Sequence, residues 1–335
     1  MSKNITGHIV KEYLARFPKT PALTLAKKIY KENPEVFINV EHARTAIRIY
    51  TGQHGSQNRK NVKDNQFYRP AGLLNPFKVP ESDCDDWAPV HISDRYSKGL
   101  IFSDVHFPYH DVQATNVMIN HVLKNKKIDF ILINGDGLDC YQLSRFNKDP
   151  RNRSFSDELW GWIEYLKVFQ EVFPGVKIYW KLGNHEERQE NYLRVKAPEL
   201  LDMEEFKLGN IIKLRGLTDI EVIDNQKIVY VGRLPIIHGH EFSVKGSNPV
   251  NPARGLFLKT LSSAVVSHHH RTSAHSEMDI KEKLMSWWSI GCLCGLHPEY
   301  ARLNKWNSGF ATIEFKALEF SFENYKIYQD KVYRG

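Results

Sequence analysis

Apolar residues recur at helical spacing at Ile9, Tyr13, Leu14 and Phe17, and this period predicts a first short helix. Thr20 followed by Pro21 supplies an N-cap and a first-turn proline for a second, whose core face is Leu23, Ala26, Ile29 and Tyr30 and which ends at Asn33 and Pro34. A third starts near Asn39, buries Ala43, Ala46, Ile47 and Tyr50, and stops at Gly52. Three helices of this length make a small helix-turn-helix-like unit. From Lys98 onward the pattern becomes short apolar runs at 99–103, 129–134, 176–182, 227–231, 234–238 and 264–267, which read as buried strands. Helical stretches at 112–126 and 156–173 lie between them, and that alternation argues for an α/β architecture. Late antiparallel strands are expected at 310–315 and 320–328. The pattern divides the chain into a helix-turn-helix-like basic domain at 1–55, a linker at 56–97 and an α/β domain at 98–335.

Charge changes the picture of the N-terminal quarter. The chain carries a net +7, yet residues 1–80 hold 14 Lys and Arg against 5 Asp and Glu, so the remainder is slightly acidic. Such asymmetry points to an acidic polymer as partner, most plausibly nucleic acid, with DNA favoured. On the third helix Arg44 and Arg48 share a face with Thr51 beside the buried one, as a recognition helix requires. Arg59, Lys60, Lys63 and Arg69 follow as a basic arm suited to a phosphate backbone. The alternative is a solvated helix and linker whose charges serve solubility.

With 41% hydrophobic and 25% charged residues the composition is that of a folded protein, which excludes disorder throughout. The first residues lack a secretory pattern and no apolar run is long enough for a bilayer, so a cytoplasmic location and no membrane partner are expected. Cys84, Cys140, Cys292 and Cys294 form neither a disulfide framework nor paired zinc-ribbon spacing.

Five polar clusters stand just after apolar runs: Asp104-Val105-His106, Gly135-Asp136-Gly137-Leu138-Asp139, Gly183-Asn184-His185-Glu186, His238-Gly239-His240 and Ser267-His268-His269-His270. Open α/β sheets build their sites at the carboxyl ends of strands. Burying this many carboxylates and imidazoles together is costly unless cations neutralise them.

In this order the motifs resemble those of the calcineurin-like metallophosphoesterases: D-x-H, G-D-x-x-D, G-N-H-[DE], H and G-H-x-H, over about residues 98–271. The resemblance implies two packed mixed sheets flanked by helices, with two divalent metals at one edge of the sandwich. Asp104, His106 and His270 would hold one metal, Asn184, His238 and His268 the other, and Asp136 would bridge them. Two such cations about 4 Å apart can share a hydroxide and clamp a phosphoryl group for in-line attack. His185 would act as general acid, oriented by Asp139. Manganese is the first choice, with iron, zinc or magnesium compatible with the ligand types. Ser267 stands where the family has Gly, and His269 and His240 are surplus histidines that could substitute for a ligand.

Cys140 occupies the place where the family's protein serine/threonine phosphatases carry a phosphate-gripping arginine, which counts against that branch. Arg145, Lys148, Arg151 and Arg153 precede an aromatic helix, and Arg188 follows the third motif; Arg145 and Arg188 are the candidate phosphate contacts. Trp160, Ile163 and Leu166 fit a packed helix face. The chain also resembles small bacterial and bacteriophage phosphoesterases grouped with DNA-repair exonucleases. The leading expectation is a metal-dependent phosphodiesterase or nuclease. Against it stand a phosphomonoesterase or cyclic-nucleotide phosphodiesterase, and a nucleic-acid-binding protein with an inactive metal domain.

Overall fold

The structure, a computed structural model, describes residues 2–18, 20–55, 67, 80, 87–145, 154–201, 203–242, 250–316 and 319–335. The chain separates into two compact units, Met1–Ala88 and Pro89–Gly335. The basic residues Arg59, Lys60, Lys63 and Arg69 lie outside the described residues, as do Lys148, Arg151 and Arg153.

The first unit contains the helices Ser2–Arg16, Ala22–Glu32 and Val40–Tyr50. They close around Val10, Leu14, Leu25, Ala26, Ile29, Phe37, Ala43 and Ile47. Asn39 caps the third helix by accepting from the His42 backbone N–H. The second helix differs from expectation at its start: Pro21 is the N-cap residue and no side chain caps it. Its buried face is also rotated, with Leu25 fully buried and Leu23 only half-buried, because Leu25 shares a side with Ile29 one turn on. Thr51 is buried and its hydroxyl donates to the Ile47 carbonyl, so it does not share an accessible face with Arg44 and Arg48.

The second unit stacks two sheets. One has the order β13-β12-β11-β2-β3-β4-β5, comprising Lys331–Arg334, Glu319–Tyr328, Ser308–Lys316, Lys98–Phe102, Phe130–Asn134, Lys177–Lys181 and Glu221–Ile223. The other has the order β1-β6-β7-β8-β10-β9, comprising Val90–His91, Val229–Val231, Leu234–Ile236, Ala264–Val266, Leu284–Ser289 and Ser273–Met278. Ile101, Leu132, Val229, Ile236, Val265 and Ala311 fill the space between them. The helices Val112–Asn125 and Phe155–Val172 cover the outer face of the first sheet through Met118, Val122, Trp162, Ile163 and Leu166. The helix Pro252–Thr260 covers part of the second. Trp160 departs from the expected packed face: it is 44% exposed, under the Arg215 guanidinium 3.8 Å from its ring centre.

The chain directions place the site. Strands β2, β3, β4 and β5 run parallel, as do β7, β8 and β10. The loops leaving β2, β3 and β4 carry the first three polar motifs, and those leaving β7 and β8 carry the last two.

Candidate metal centre

Each of the two central carboxylates has one oxygen occupied by the protein and one left facing a common space. Asp136 Oδ1 accepts from the His185 backbone N–H at 2.9 Å, while Oδ2 lies 3.1 Å from His238 Nε2 and 3.8 Å from His106 Nε2. Asp104 Oδ2 accepts from the Ser103 hydroxyl at 2.7 Å and the His268 N–H at 3.1 Å. Its Oδ1 is buried and makes no hydrogen bond, although His270 Nε2 stands 3.2 Å away. An unpaired buried carboxylate oxygen is expensive unless a cation meets it.

The imidazoles obey the same rule. His238 Nδ1 donates to the Asn134 carbonyl at 2.8 Å, which leaves Nε2 toward Asp136 and 3.2 Å from Asn184 Oδ1. His106 Nδ1 faces Asp139 Oδ1 at 3.3 Å, and its Nε2 stands 3.2 Å from His270 Nε2. Outer-nitrogen hydrogen bonds of this kind set the tautomer of metal-binding histidines. Two donors held by one cation at about 2.1 Å stand about 3.0 Å apart in octahedral and about 3.4 Å apart in tetrahedral geometry. The separations of 3.1 and 3.2 Å between Asp136 and His238, His238 and Asn184, Asp104 and His270, and His106 and His270 all fall at that spacing. The residues therefore fit divalent cations: Asp104, His106 and His270 form one set, Asn184, His238 and His268 the other, with Asp136 Oδ2 reaching into both. His268 shares a candidate metal-holding group with Asp136 and His238.

Backbone geometry explains why these side chains converge. Asp104, His106, Asp136, His268 and His270 all have φ between 48° and 65°, the left-handed region that costs L-residues energy. The loops hold it through cross-strand bonds: Asp104 N–H to the Gly135 carbonyl, His106 N–H to the Asp136 carbonyl and Leu293 N–H to the Asp104 carbonyl. Gly135 has φ +88°, and a Cβ there would sit 2.3 Å from His238 Nδ1. At Gly183 a Cβ would meet Asp136 Oδ1 at 2.2 Å. Both glycines are required by the approach of the ligands.

Charge interactions follow from this crowding. Burial pushes Asp136 toward its neutral form, but His238 and His185 outweigh it and hold the carboxylate well below its usual range. Burial likewise opposes a charge on His238, yet Asp136 raises it to about 9. His268 is lowered to about 4, chiefly by burial. For His185, burial is overcome by Asp136 and Asp139, and the group lies above its ordinary value.

His185 stands beside the ligand cluster. Its Nδ1 is 3.1 Å from Asp139 Oδ1 and 2.9 Å from the Asp139 carbonyl, and its Nε2 accepts from Arg188 Nη2 at 2.9 Å. Arg188 Nη1 also donates to the Asp139 carbonyl. Asp139 thus touches both His106 and His185. Ser267, in place of the expected glycine, is buried and its hydroxyl accepts from Asn134 Nδ2 at 2.9 Å. His240 and His269 belong to no candidate metal-holding group among the described residues. Arg145 is exposed just past the turn Tyr141–Leu143. In the other unit, Arg44 and Arg48 are half-buried, with Arg44 3.4 Å from Glu41.

Glu186 stands in the third motif but its role was not legible there, and Glu158, Lys181 and Glu241 carried no motif at all. Glu186 takes the backbone N–H groups of Gly183, Asp136 and Leu138, stitching the second motif to the third; burial raises it to about 7. Glu158 accepts from the Cys140 N–H and is raised by burial to about 8. Lys181 and Glu241 form a buried ion pair at 2.7 Å, and Glu241 also accepts from the His238 and Gly239 N–H groups. A charged residue ending the apolar run of β4 was the available signal for Lys181, but nothing local named its partner. Cys292 and Cys294 are free thiols, and Cys294 Sγ lies 3.9 Å from His270 Nδ1.

No curated protein matches the chain by sequence. Among solved structures, it is similar to Vps29 from Cryptosporidium parvum, at 15% identity and TM-score 0.40 over 72% of this chain and 96% of that one. It is also similar to zinc-complexed Vps29 from Entamoeba histolytica, at 10% identity and TM-score 0.37 over 71% and 97%. Vps29 from Chaetomium thermophilum aligns at 12% identity and TM-score 0.38 over 71% and 96%. The family model of the calcineurin-like phosphoesterases matches residues 98–317. That match spans every ligand loop described above and more than half of the chain, and the chain belongs to the calcineurin-like phosphoesterase family.

Proposed function

We propose that this protein is a divalent-metal-dependent phosphodiesterase that hydrolyses nucleic acid, with manganese as its preferred ion and the cytoplasm as its location. The observation that supports catalysis is the arrangement in which Asp104 Oδ1 is buried without a hydrogen bond and Asp136 Oδ2 faces His238 and His106, while His185 stands beside them. Bound divalent cations would supply the Lewis acidity that activates water and neutralises phosphoryl charge.

The chain's own residues supply the proton and the grip. Nδ1 of His185 donates to Asp139, so Nε2 is the position that exchanges a proton with the leaving oxygen. Arg188 donates to that same Nε2 and so opposes its protonation, against the carboxylates of Asp136 and Asp139 that favour it. A phosphoryl oxygen competes for the guanidinium, draws Arg188 away and frees Nε2 to carry a proton. Arg188 thereby takes over the phosphate-gripping role that Cys140, a fully buried thiol with no cationic form, cannot perform. The basic balance of residues 1–80 supports a nucleic-acid substrate, with Arg44, Arg48, Arg59 and Lys60 as contacts and Arg145 as a further phosphate contact near the site.

The test is hydrolysis by the full chain with manganese of single-stranded DNA, duplex DNA, RNA, a small aryl phosphodiester and a phosphomonoester. Cleavage of a polynucleotide is expected, with binding that weakens as salt rises and in an Arg44→Glu, Arg48→Glu double variant. Turnover of the small esters alone overturns the nucleic-acid reading and leaves a small-molecule phosphoesterase. Absence of all turnover leaves a binding protein.

A further inference from the structure

At the opposite ends of the strands from the metal centre lies a second cavity, of about 380 Å³, within the size range of small-molecule sites. Its floor is aromatic: Trp288, Phe320 and Phe322, with Trp288 and Phe322 ring centres 4.8 Å apart. Among the described residues, Arg233 and Lys283 are the only charged ones in its lining, and both are cationic. Arg233 sits 5.7 Å from the Phe320 ring centre, and neither cation has a carboxylate within 4.0 Å among the described residues. Ser262, Ser263 and Ser286 add hydroxyl groups at the wall.

This combination recognises a flat aromatic ring attached to an anion. The half-buried Trp288, Phe320 and Phe322 offer π-faces, and two exposed cations flank them, with no carboxylate among the described lining residues to repel a phosphate. We propose that the cavity binds an unpaired nucleotide, its base against Trp288 and Phe322 and its phosphate on Arg233 and Lys283. Arg233 immediately precedes β7 and His238 follows it, a span of five residues or roughly 16 Å of extended chain, so this is a site separate from the metal centre. A free nucleotide and one nucleotide of a single strand present the same chemistry. The proposal holds whichever ester the metal centre cleaves.

The experiment uses the full chain with manganese and two probes that carry 2-aminopurine, whose fluorescence falls on stacking with indole. One is the free nucleoside thiophosphate, the other an eight-residue single strand with phosphorothioate linkages. Saturable quenching of either probe is expected, weakened about tenfold or more in the Arg233→Glu, Lys283→Glu double variant. Hydrolysis of a small aryl phosphodiester should stay within about twofold of wild type, which separates failure here from failure of the catalytic reading. Loss confined to the strand identifies a single-strand site, and loss for both probes a nucleotide site. The proposal is overturned if neither probe is quenched by wild type, if the double variant binds as wild type does, or if reversal of the exposed Lys124 and Lys196, outside the cavity, weakens binding equally.

Discussion

Lys181→Met tests the ion pair that ties the metal centre to the sheet beneath it. Lys181 is fully buried at the end of β4, its Nζ 2.7 Å from Glu241 and 2.8 Å from the Asn225 carbonyl. Methionine keeps the volume but strands a carboxylate in a site where its side chain is 9% exposed. Breaking one partner of such a pair costs about 3–5 kcal/mol. The electrostatics give a similar size: burial pushes Glu241 up, Lys181 overrides it, and the net fall from 4.5 to about 2 is worth about 3 kcal/mol at neutral pH. The double variant Lys181→Met, Glu241→Leu removes both charges and recovers part of the loss. Recovery stays incomplete because the His238 and Gly239 N–H groups lose their acceptor, at about 1–3 kcal/mol. Urea unfolding followed by tryptophan fluorescence reports on the right unit, since six of the seven tryptophans lie within Pro89–Gly335. A single-variant cost below about 1 kcal/mol, or a double-mutant cycle without coupling, means that the pair does not anchor the His238 loop.

The same pair sets an acid limit. The carboxyl of Glu241 is depressed in the folded chain, so its contribution is complete above about pH 5 and disappears as pH falls from 4.5 through about 2. The stability difference between wild type and Glu241→Gln should therefore shrink over that window in urea titrations. Gly183→Ala places a methyl group against Asp136, and a fall in manganese affinity by calorimetry of at least about tenfold is expected. His185→Ala should lower kcat by about 10²–10⁴-fold with little change in KM, whereas Arg188→Ala should lower kcat/KM by about 10–100-fold, largely through KM. Chelation should lower the melting temperature and manganese restore it, by about 2.7 kcal/mol of stability at a hundred times Kd.

Residues that act through their immediate neighbours were legible along the chain. The apolar runs before Asp104, Asp136, Asn184, His238 and His268 are strands that deliver these residues to one end of two sheets, as their alternation with helices implies. Boundaries drifted by a residue or two where ladder pairing, not hydrophobicity, ends a strand, as at Val229–Val231. The hairpin of Ser273–Met278 and Leu284–Ser289 gave no alternating signal, because its outer strand is made mostly of small and polar residues and buries none of its residues fully.

By itself, then, the order of side-chain types determined the α/β architecture, the motif set of the calcineurin-like phosphoesterase family and a basic helical unit ahead of it, because strand period and motif spacing are local properties. Which carboxylate oxygen remains free, that Arg188 lies on His185, that Glu186 gathers three backbone N–H groups and that Lys181 meets Glu241 were decided only by tertiary structure. Those relations join residues up to 164 positions apart, and they depend on backbone directions and burial that no local pattern encodes.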